Sequence, residues 1–98
     1  MKQLDFLIPL FERYQLILSR SCQFDLPIHD KCSRDHLVNL CDVAIKGIRE
    51  ETMHYGKLCR WLGFMQGVMV ASGLITVDEE RDFTRPIFRE HENDKKDL

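Results

Sequence analysis

The 98-residue chain has little of several features that mark specialised protein classes. Its four cysteines are too few for the dense disulfide framework of a small secreted scaffold. It has no internal repeat, no low-complexity tract and no Ser/Gly linker. Its 14 Lys and Arg side chains are slightly outnumbered by 16 Asp and Glu, which gives a net charge of −2. A protein whose main role is to bind nucleic-acid phosphates needs a basic excess, so that class is disfavoured.

Long apolar runs are also missing. The longest one, Trp61 to Ile75, has 15 residues and is interrupted by Gln66 and Ser72, whereas a membrane-spanning helix needs about 20. Asp5 interrupts the apolar stretch near the N-terminus, which is atypical of a secretory signal. We therefore expect a cytoplasmic protein with no membrane partner. The composition is typical of one soluble domain, predicted over residues 1–89, with a polar and disordered tail over residues 90–98.

The motifs of common catalytic and metal sites are absent. There is no Cys-x-x-Cys pair and no glycine-rich phosphate loop, and the histidines have no evident nucleophile beside them. We therefore predict no enzymatic activity, no cofactor and no metal. The sequence leaves open whether Cys22, Cys32, His36 and Cys41 bind zinc, but reduced thiols are favoured because Cys41 lies within an apolar helical pattern.

Glu79 and Asp82 form a Glu-x-x-Asp pair that raises an alternative function. Such a pair is half of the carboxylate set with which all-helical nucleotide pyrophosphatases bind magnesium. The other half is absent, because Glu50 and Glu51 are adjacent rather than three apart. The alternative hypothesis is a small helical protein that binds or hydrolyses nucleotides with acidic residues supplied across a dimer. The same acids would repel DNA, so a DNA-reading helix is disfavoured.

Apolar residues recur at steps of three and four along most of the chain, which predicts an all-α, bundle-like domain of four helices. The first helix begins near Pro9 or bends there. The second is capped by Ser33 and fades near Arg49. The third runs from about Met53 to Ser72, and Gly73 ends it. A tight corner over Gly73–Thr76 leads to a capping box at Thr76-Val77-Asp78-Glu79, and the fourth helix bends or stops near Thr84-Arg85-Pro86.

The third helix is the most informative segment. From Trp61 through Ala71 its only polar side chain is Gln66, which we expect to find hydrogen bonds within the core. A helix that is apolar all round is buried on more than one side, so we place this helix at the centre of the bundle. Gly63, Gly67 and Ala71 are four apart and would let another helix, from this chain or from a second one, approach closely.

The apolar surplus predicts a non-enzymatic protein-binding module, either a homodimer or a hetero-complex with another protein. Arginines beside aromatic residues are common where interfaces bind most strongly, and arginines spaced by four make a basic ridge for an acidic partner. The predicted partner-binding residues are Arg60, Trp61, Phe64 and Gly67 on the third helix and Arg81, Arg85 and Arg89 on the fourth.

The segment Arg60–Val68, R-W-L-G-F-M-Q-G-V, followed by the corner and acidic helix start at Gly73–Asp82, resembles small, largely uncharacterised proteins of tailed phages and prophages. Those proteins carry a similar R-W-L-G-F-x-Q-G segment before a short acidic helix. The likeness covers Leu58 to Arg89 and leaves the first helix unmatched. It implies a phage accessory protein of the host cytoplasm that binds a host protein and modulates or inhibits it, in host takeover or counter-defence, by covering its surface. It carries over no catalytic residue.

Overall fold

A computed structural model describes the backbone of residues 3–20 and 33–96, with side chains described through Glu92. A short 3-10 helix, Asp5–Leu7, leads into α1, Ile8–Arg20. The remaining helices are α2, Arg34–Glu50, α3, Tyr55–Ala71, and α4, Val77–Lys96. The described ranges contain no strand, so the predicted all-α fold with four helices is confirmed. None of these helices combines the length and apolarity needed to cross a membrane.

The helix ends follow from local sequence. Pro9 lies in the first turn of α1, where a backbone N–H has no acceptor within the helix, so proline costs no hydrogen bond there. The Ser33 hydroxyl caps α2 by accepting the His36 N–H at 3.2 Å. Glu51 ends α2 in the left-handed conformation, with φ of 59°. The sequence predicted the Ser33 cap and left open whether the first helix begins or bends near Pro9, while a glutamate in a left-handed cap carries no local signal.

The corner between α3 and α4 closes as predicted. Gly73 has φ of 80°, which glycine adopts without steric cost. Its N–H donates to the Val70 carbonyl at 3.1 Å, and the Leu74 N–H donates to the Met69 carbonyl at 2.9 Å. This pair of bonds is a Schellman motif, which satisfies the last carbonyls of α3. Three residues later the Thr76 hydroxyl accepts the Glu79 N–H at 3.1 Å and starts α4.

The core lies between α1, α2 and one face of α3. The most extensive helix contact is between α1 and α2. The side chains that are fully or almost fully buried include Leu10, Phe11, Tyr14 and Leu18 of α1, Leu37, Cys41, Ala44 and Ile48 of α2, and Leu58, Leu62, Met65 and Met69 of α3. Phe83, Ile87 and Phe88 of α4 pack partly buried against this cluster.

Two features of α4 differ from the prediction. Of the two predicted alternatives at Pro86, a bend or a stop, the stop is excluded because the helix continues through the proline; the helix also extends over residues 90–96, which were predicted to be a disordered tail. Contacts beyond the proline explain the difference. The His91 ring stacks on Phe6 with centroids 3.9 Å apart, and Phe88 meets the same ring edge-on at 5.6 Å. These contacts hold the turns after Pro86 against the N-terminal segment and offset the hydrogen bond that proline cannot donate.

The expectation that α3 is buried on more than one side is not met on one of its faces, which is open within the described chain. Its Leu58–Met69 face is in the core, but Gly63, Gly67 and Ala71 on the opposite face are exposed. Phe64, on the same face, keeps 41% of its surface exposed. The helix is therefore not at the centre of the bundle. Glycine and alanine are classed as apolar residues but have little apolar surface area. Exposing them to water therefore costs little free energy.

Candidate functional site

The exposed side of α3 and the neighbouring side of α4 enclose a groove of about 580 Å³, which we call the α3–α4 groove. The corner at Gly73 sets the start of α4 beside the end of α3, which creates the two walls. The residues that line the groove are Gly63, Gln66, Gly67, Val70 and Ala71 of α3 and Val77, Glu80, Arg81 and Thr84 of α4. Small and apolar side chains make up most of the surface, with a few polar groups among them.

The two glycines of the groove are not required by packing against any part of the chain that the structure describes. A Cβ atom built at Gly63 or at Gly67 would meet no atom of another described segment within 4 Å. Each glycine in a helix interior nevertheless costs about 1 kcal/mol of helix propensity relative to alanine. The groove therefore has open space at the positions where the helix is least stable locally, and that space lets another backbone approach closely.

A buried carboxylate lies in the wall of the groove. Glu80 is only 6% exposed and is the one buried charged residue among the described residues. One carboxylate oxygen accepts a hydrogen bond from the Tyr14 hydroxyl, and the other lies 2.5 Å from Nη1 of Arg13. Gln66 Nε2 lies 3.4 Å from Glu80 Oε1. This Glu80 network joins α1, α3 and α4, and Arg13 balances the charge that burial would otherwise make costly.

Gln66 offers the groove an acceptor. Its Nε2 donates to the Tyr14 hydroxyl oxygen at 2.7 Å as well as to Glu80. A carboxylate can only accept hydrogen bonds, so the amide nitrogen must face the network and the amide oxygen must face away. That oxygen has no hydrogen-bond partner in the described part of the chain and is not enclosed by protein. The predicted internal hydrogen bonds of Gln66 are therefore present, but only on the nitrogen side.

Two arginines lie in or beside the groove. Arg81 lines the α4 wall and Arg60 is exposed on the free face of α3. Neither makes an ion pair with another residue of the described ranges, and the same holds for Arg85 and Arg89. Two cationic side chains beside the mostly apolar lining of the groove can bind carboxylates of a docked molecule, because desolvation at an interface strengthens such contacts.

The structure brings together some of the predicted partner-binding residues and separates others. Gly67 and Arg81 line the groove, while Arg60 and Phe64 lie on the exposed face of α3 beside it. Trp61 is half-buried against the core, with the Lys57 ammonium 5.3 Å from its ring. The two further arginines, Arg85 and Arg89, are exposed along α4 without lining the groove.

Sequence reasoning missed Glu80 and Tyr14. Glu80 is the third of three consecutive acids at the start of α4, and local helix rules treat all three as stabilising the positive end of the dipole. Tyr14 lies on the apolar stripe of α1 and reads as a core residue. The neighbouring sequence does not distinguish either residue, because the hydrogen bond between them joins positions that are 66 residues apart.

The alternative nucleotide site is not assembled in the described chain. Glu79 and Asp82 are both exposed, and neither lines the groove. No group of three or more His, Cys, Asp or Glu residues that could hold a metal ion is present within residues 3–20 and 33–92.

Of the four zinc candidates, Cys22 and Cys32 lie outside the described residues. Cys41 is buried in the core with its Sγ 3.5 Å from Met65 Sδ. Burial raises the pKa of the Cys41 thiol to about 12. Because zinc binds the thiolate, this cysteine would have to leave the core and ionise before it could bind the metal.

Comparisons of the chain with models of protein families, with curated proteins and with solved structures found no match. The functional conclusion therefore depends on the geometry and chemistry of the groove.

Proposed function

We propose that this protein is a non-enzymatic binding module that docks a partner protein in the α3–α4 groove. The single observation that carries the proposal is the exposed glycine surface. Gly63 and Gly67 weaken α3 and have no neighbour among the described residues that would need the missing side chains, yet they line a groove whose Arg81, like Arg60 beside it, makes no ion pair within those residues. A docked backbone accounts for both features, since it needs the space that side chains at these positions would fill.

The proposed mode of action is occlusion, which needs no metal site, and no group of metal-ligating residues is assembled in the described part of the chain. A module without chemistry of its own can modulate its partner by covering a functional surface. The resemblance of the Arg60–Val68 segment to phage proteins supports a bacterial host protein as the partner, and a role in host takeover or counter-defence.

The test is affinity capture from a bacterial lysate with three baits: the unaltered chain, Gly67→Leu and Leu16→Ala. Leucine at position 67 extends into the groove, and its Cβ meets no atom of another described segment within 4 Å. Overpacking the interface by this amount costs about 1–3 kcal/mol, or about 10- to 100-fold in affinity. Leu16 is half exposed on α1, away from the groove, and serves as the control.

The expected result is a protein retained by the unaltered chain and by Leu16→Ala but lost from Gly67→Leu. Isothermal titration with the purified partner then measures the loss of affinity. Equal retention of the same protein by all three baits would show that the groove is not the binding site. A soluble, folded bait that retains no specific protein would contradict the binding function itself.

A further inference from the structure

We infer, on the basis of the proposed function, that the partner segment in the α3–α4 groove is a single amphipathic α-helix whose acidic side chains bind Arg60 and Arg81. This inference names the chemistry of the occupant, which the proposed function leaves open. It depends on the dimensions of the groove, on its charge and on the composition of α3.

The dimensions of the groove suit one helix. On α3 it extends over the nine residues from Gly63 to Ala71, and the eight steps of 1.5 Å between them give about 12 Å, or just over two helical turns. Gly63, Gly67 and Ala71 recur every four residues along this length. Small residues at that spacing form a smooth row on a helix surface, against which a second helix can pack at a short interaxial distance.

The charge of the groove points to an acidic occupant. Glu80 is the only carboxylate among the described residues that line it, and that charge is matched by Arg13. Arg81 makes no ion pair within the described residues and is the one cationic side chain among the described residues that line the groove. Successive helix residues are about 100° apart, so residues three apart are separated by about 300°, or 60° in the other direction. Arg81 therefore lies about 60° from Thr84 on the groove side and about 60° from Asp78 on the outer side. The arginine is thus the nearest exposed charge of α4 to anything bound in the groove.

A second copy of this chain fits the same site less well. Between Tyr55 and Ala71 the α3 helix carries no Asp or Glu. A symmetric pair of α3 helices would therefore bring Arg60 and Arg81 no carboxylate from the docked helix. It would also bring two Arg60 side chains to one interface, and like charges at an interface are unfavourable. The observations favour a different protein as the source of the helix.

The experiment uses a display library of randomised 18-residue amphipathic peptides, selected for binding to the full chain. Enriched peptides are synthesised and titrated by fluorescence anisotropy. We expect them to be acidic, to gain helical circular dichroism on binding and to bind at least about tenfold more weakly to Arg81→Glu. A peptide with its acidic residues changed to lysine is expected to regain affinity for that variant. Arg49→Glu, which makes the same charge change on an exposed site of α2, is the matched control.

The other outcomes separate this inference from the proposed function. Enriched peptides that are neutral or basic, and that still lose binding on Gly67→Leu, overturn the acidic helix and leave the groove as a binding site. Peptides that bind Gly67→Leu as tightly as the unaltered chain overturn both. A dimer in analytical ultracentrifugation that dissociates on Gly67→Leu makes a second copy the occupant. A selection without enrichment, alongside groove-dependent capture of a lysate protein, shows that the partner does not dock as one helix.

Discussion

Replacing Glu80 with alanine tests the buried network that joins α1, α3 and α4. The substitution removes the acceptor of the Tyr14 hydroxyl and the counter-charge of Arg13. Breaking a fully buried ion pair costs about 3–5 kcal/mol. Because the Arg13 side chain is 22% exposed, water can solvate part of its charge and lower that cost. The Tyr14 hydroxyl, left in the core without an acceptor, adds about 1–2 kcal/mol. We expect the free energy of unfolding to fall by about 3 kcal/mol.

The measurement is urea unfolding followed by far-ultraviolet circular dichroism. Asp82→Ala is the matched control, since it removes an exposed acid from the same helix and is expected to change stability by less than about 0.5 kcal/mol. A double-mutant cycle with Tyr14→Phe isolates the hydrogen bond from the hydroxyl to the carboxylate. A buried charge-assisted bond of this kind is expected to give a coupling energy of about 1–2 kcal/mol.

One result would refute the reasoning. If Glu80→Ala unfolds at the same urea concentration as Asp82→Ala, the carboxylate is not held in the core and α4 does not dock through it. A coupling energy near zero, with a large effect of Glu80→Ala alone, would place the stabilisation in the contact between Arg13 and Glu80 and not in the tyrosine.

Further predictions concern α4 and the core thiol. Pro86→Ala is expected to raise the free energy of unfolding by about 1–3 kcal/mol, because α4 is continuous there; an unchanged urea midpoint would mean that the helix breaks. Thr76→Ala is expected to lower the free energy of unfolding by about 1 kcal/mol because the helix cap is lost, whereas Thr76→Ser retains the cap. Cys41, with a pKa of about 12, is expected to resist iodoacetamide at about pH 8 until the protein unfolds, as measured by peptide mass spectrometry; equal labelling of native and unfolded protein would contradict its burial.

The helix boundaries that depend on neighbouring residues could be predicted from sequence. Ser33 and Thr76 cap helices through bonds that span three residues, and Gly73 ends α3 through its own backbone conformation. The continuation of α4 through Pro86 could not be predicted, because the local rule opposes it. Phe6 stabilises the helix after the proline by contacts with a segment more than 80 residues further along the chain. Such tertiary contacts override local propensity without leaving a local signal.

The error over α3 has a different physical source. A count of apolar letters from Trp61 to Ala71 treats glycine and alanine as equal to leucine, although burial free energy scales with apolar area. The exposed face consists largely of Gly63, Gly67 and Ala71, and Phe64 is its single large apolar side chain. Weighting each position by its area would have predicted one buried face and one open face. It would also have identified the open face as a surface of exposed backbone rather than a surplus of apolar area.

The groove and its supporting network differ in what the sequence could reveal. Gly67 and Arg81 were predicted because spacing alone places small residues in one row and arginines in another. Glu80 could not be distinguished from Asp78 and Glu79, since the rule for the first turn of a helix applies equally to all three. Its role is set by Tyr14 across the core, a contact that only the tertiary structure shows.

The Glu80 network also positions the wall of the groove, so binding and stability are linked there but not at the glycines. Tyr14 and Glu80 together fix the amide of Gln66, so losing the carboxylate is expected to weaken both the fold and the docking of a partner. Gly67→Leu is expected to weaken docking while gaining about 0.8 kcal/mol of helix propensity. The two variants therefore move stability in opposite directions and binding in the same direction. If binding is lost only because the fold is destabilised, the loss appears in Glu80→Ala and not in Gly67→Leu. If binding is lost because the groove is filled, the loss appears in Gly67→Leu, although that variant is the more stable of the two.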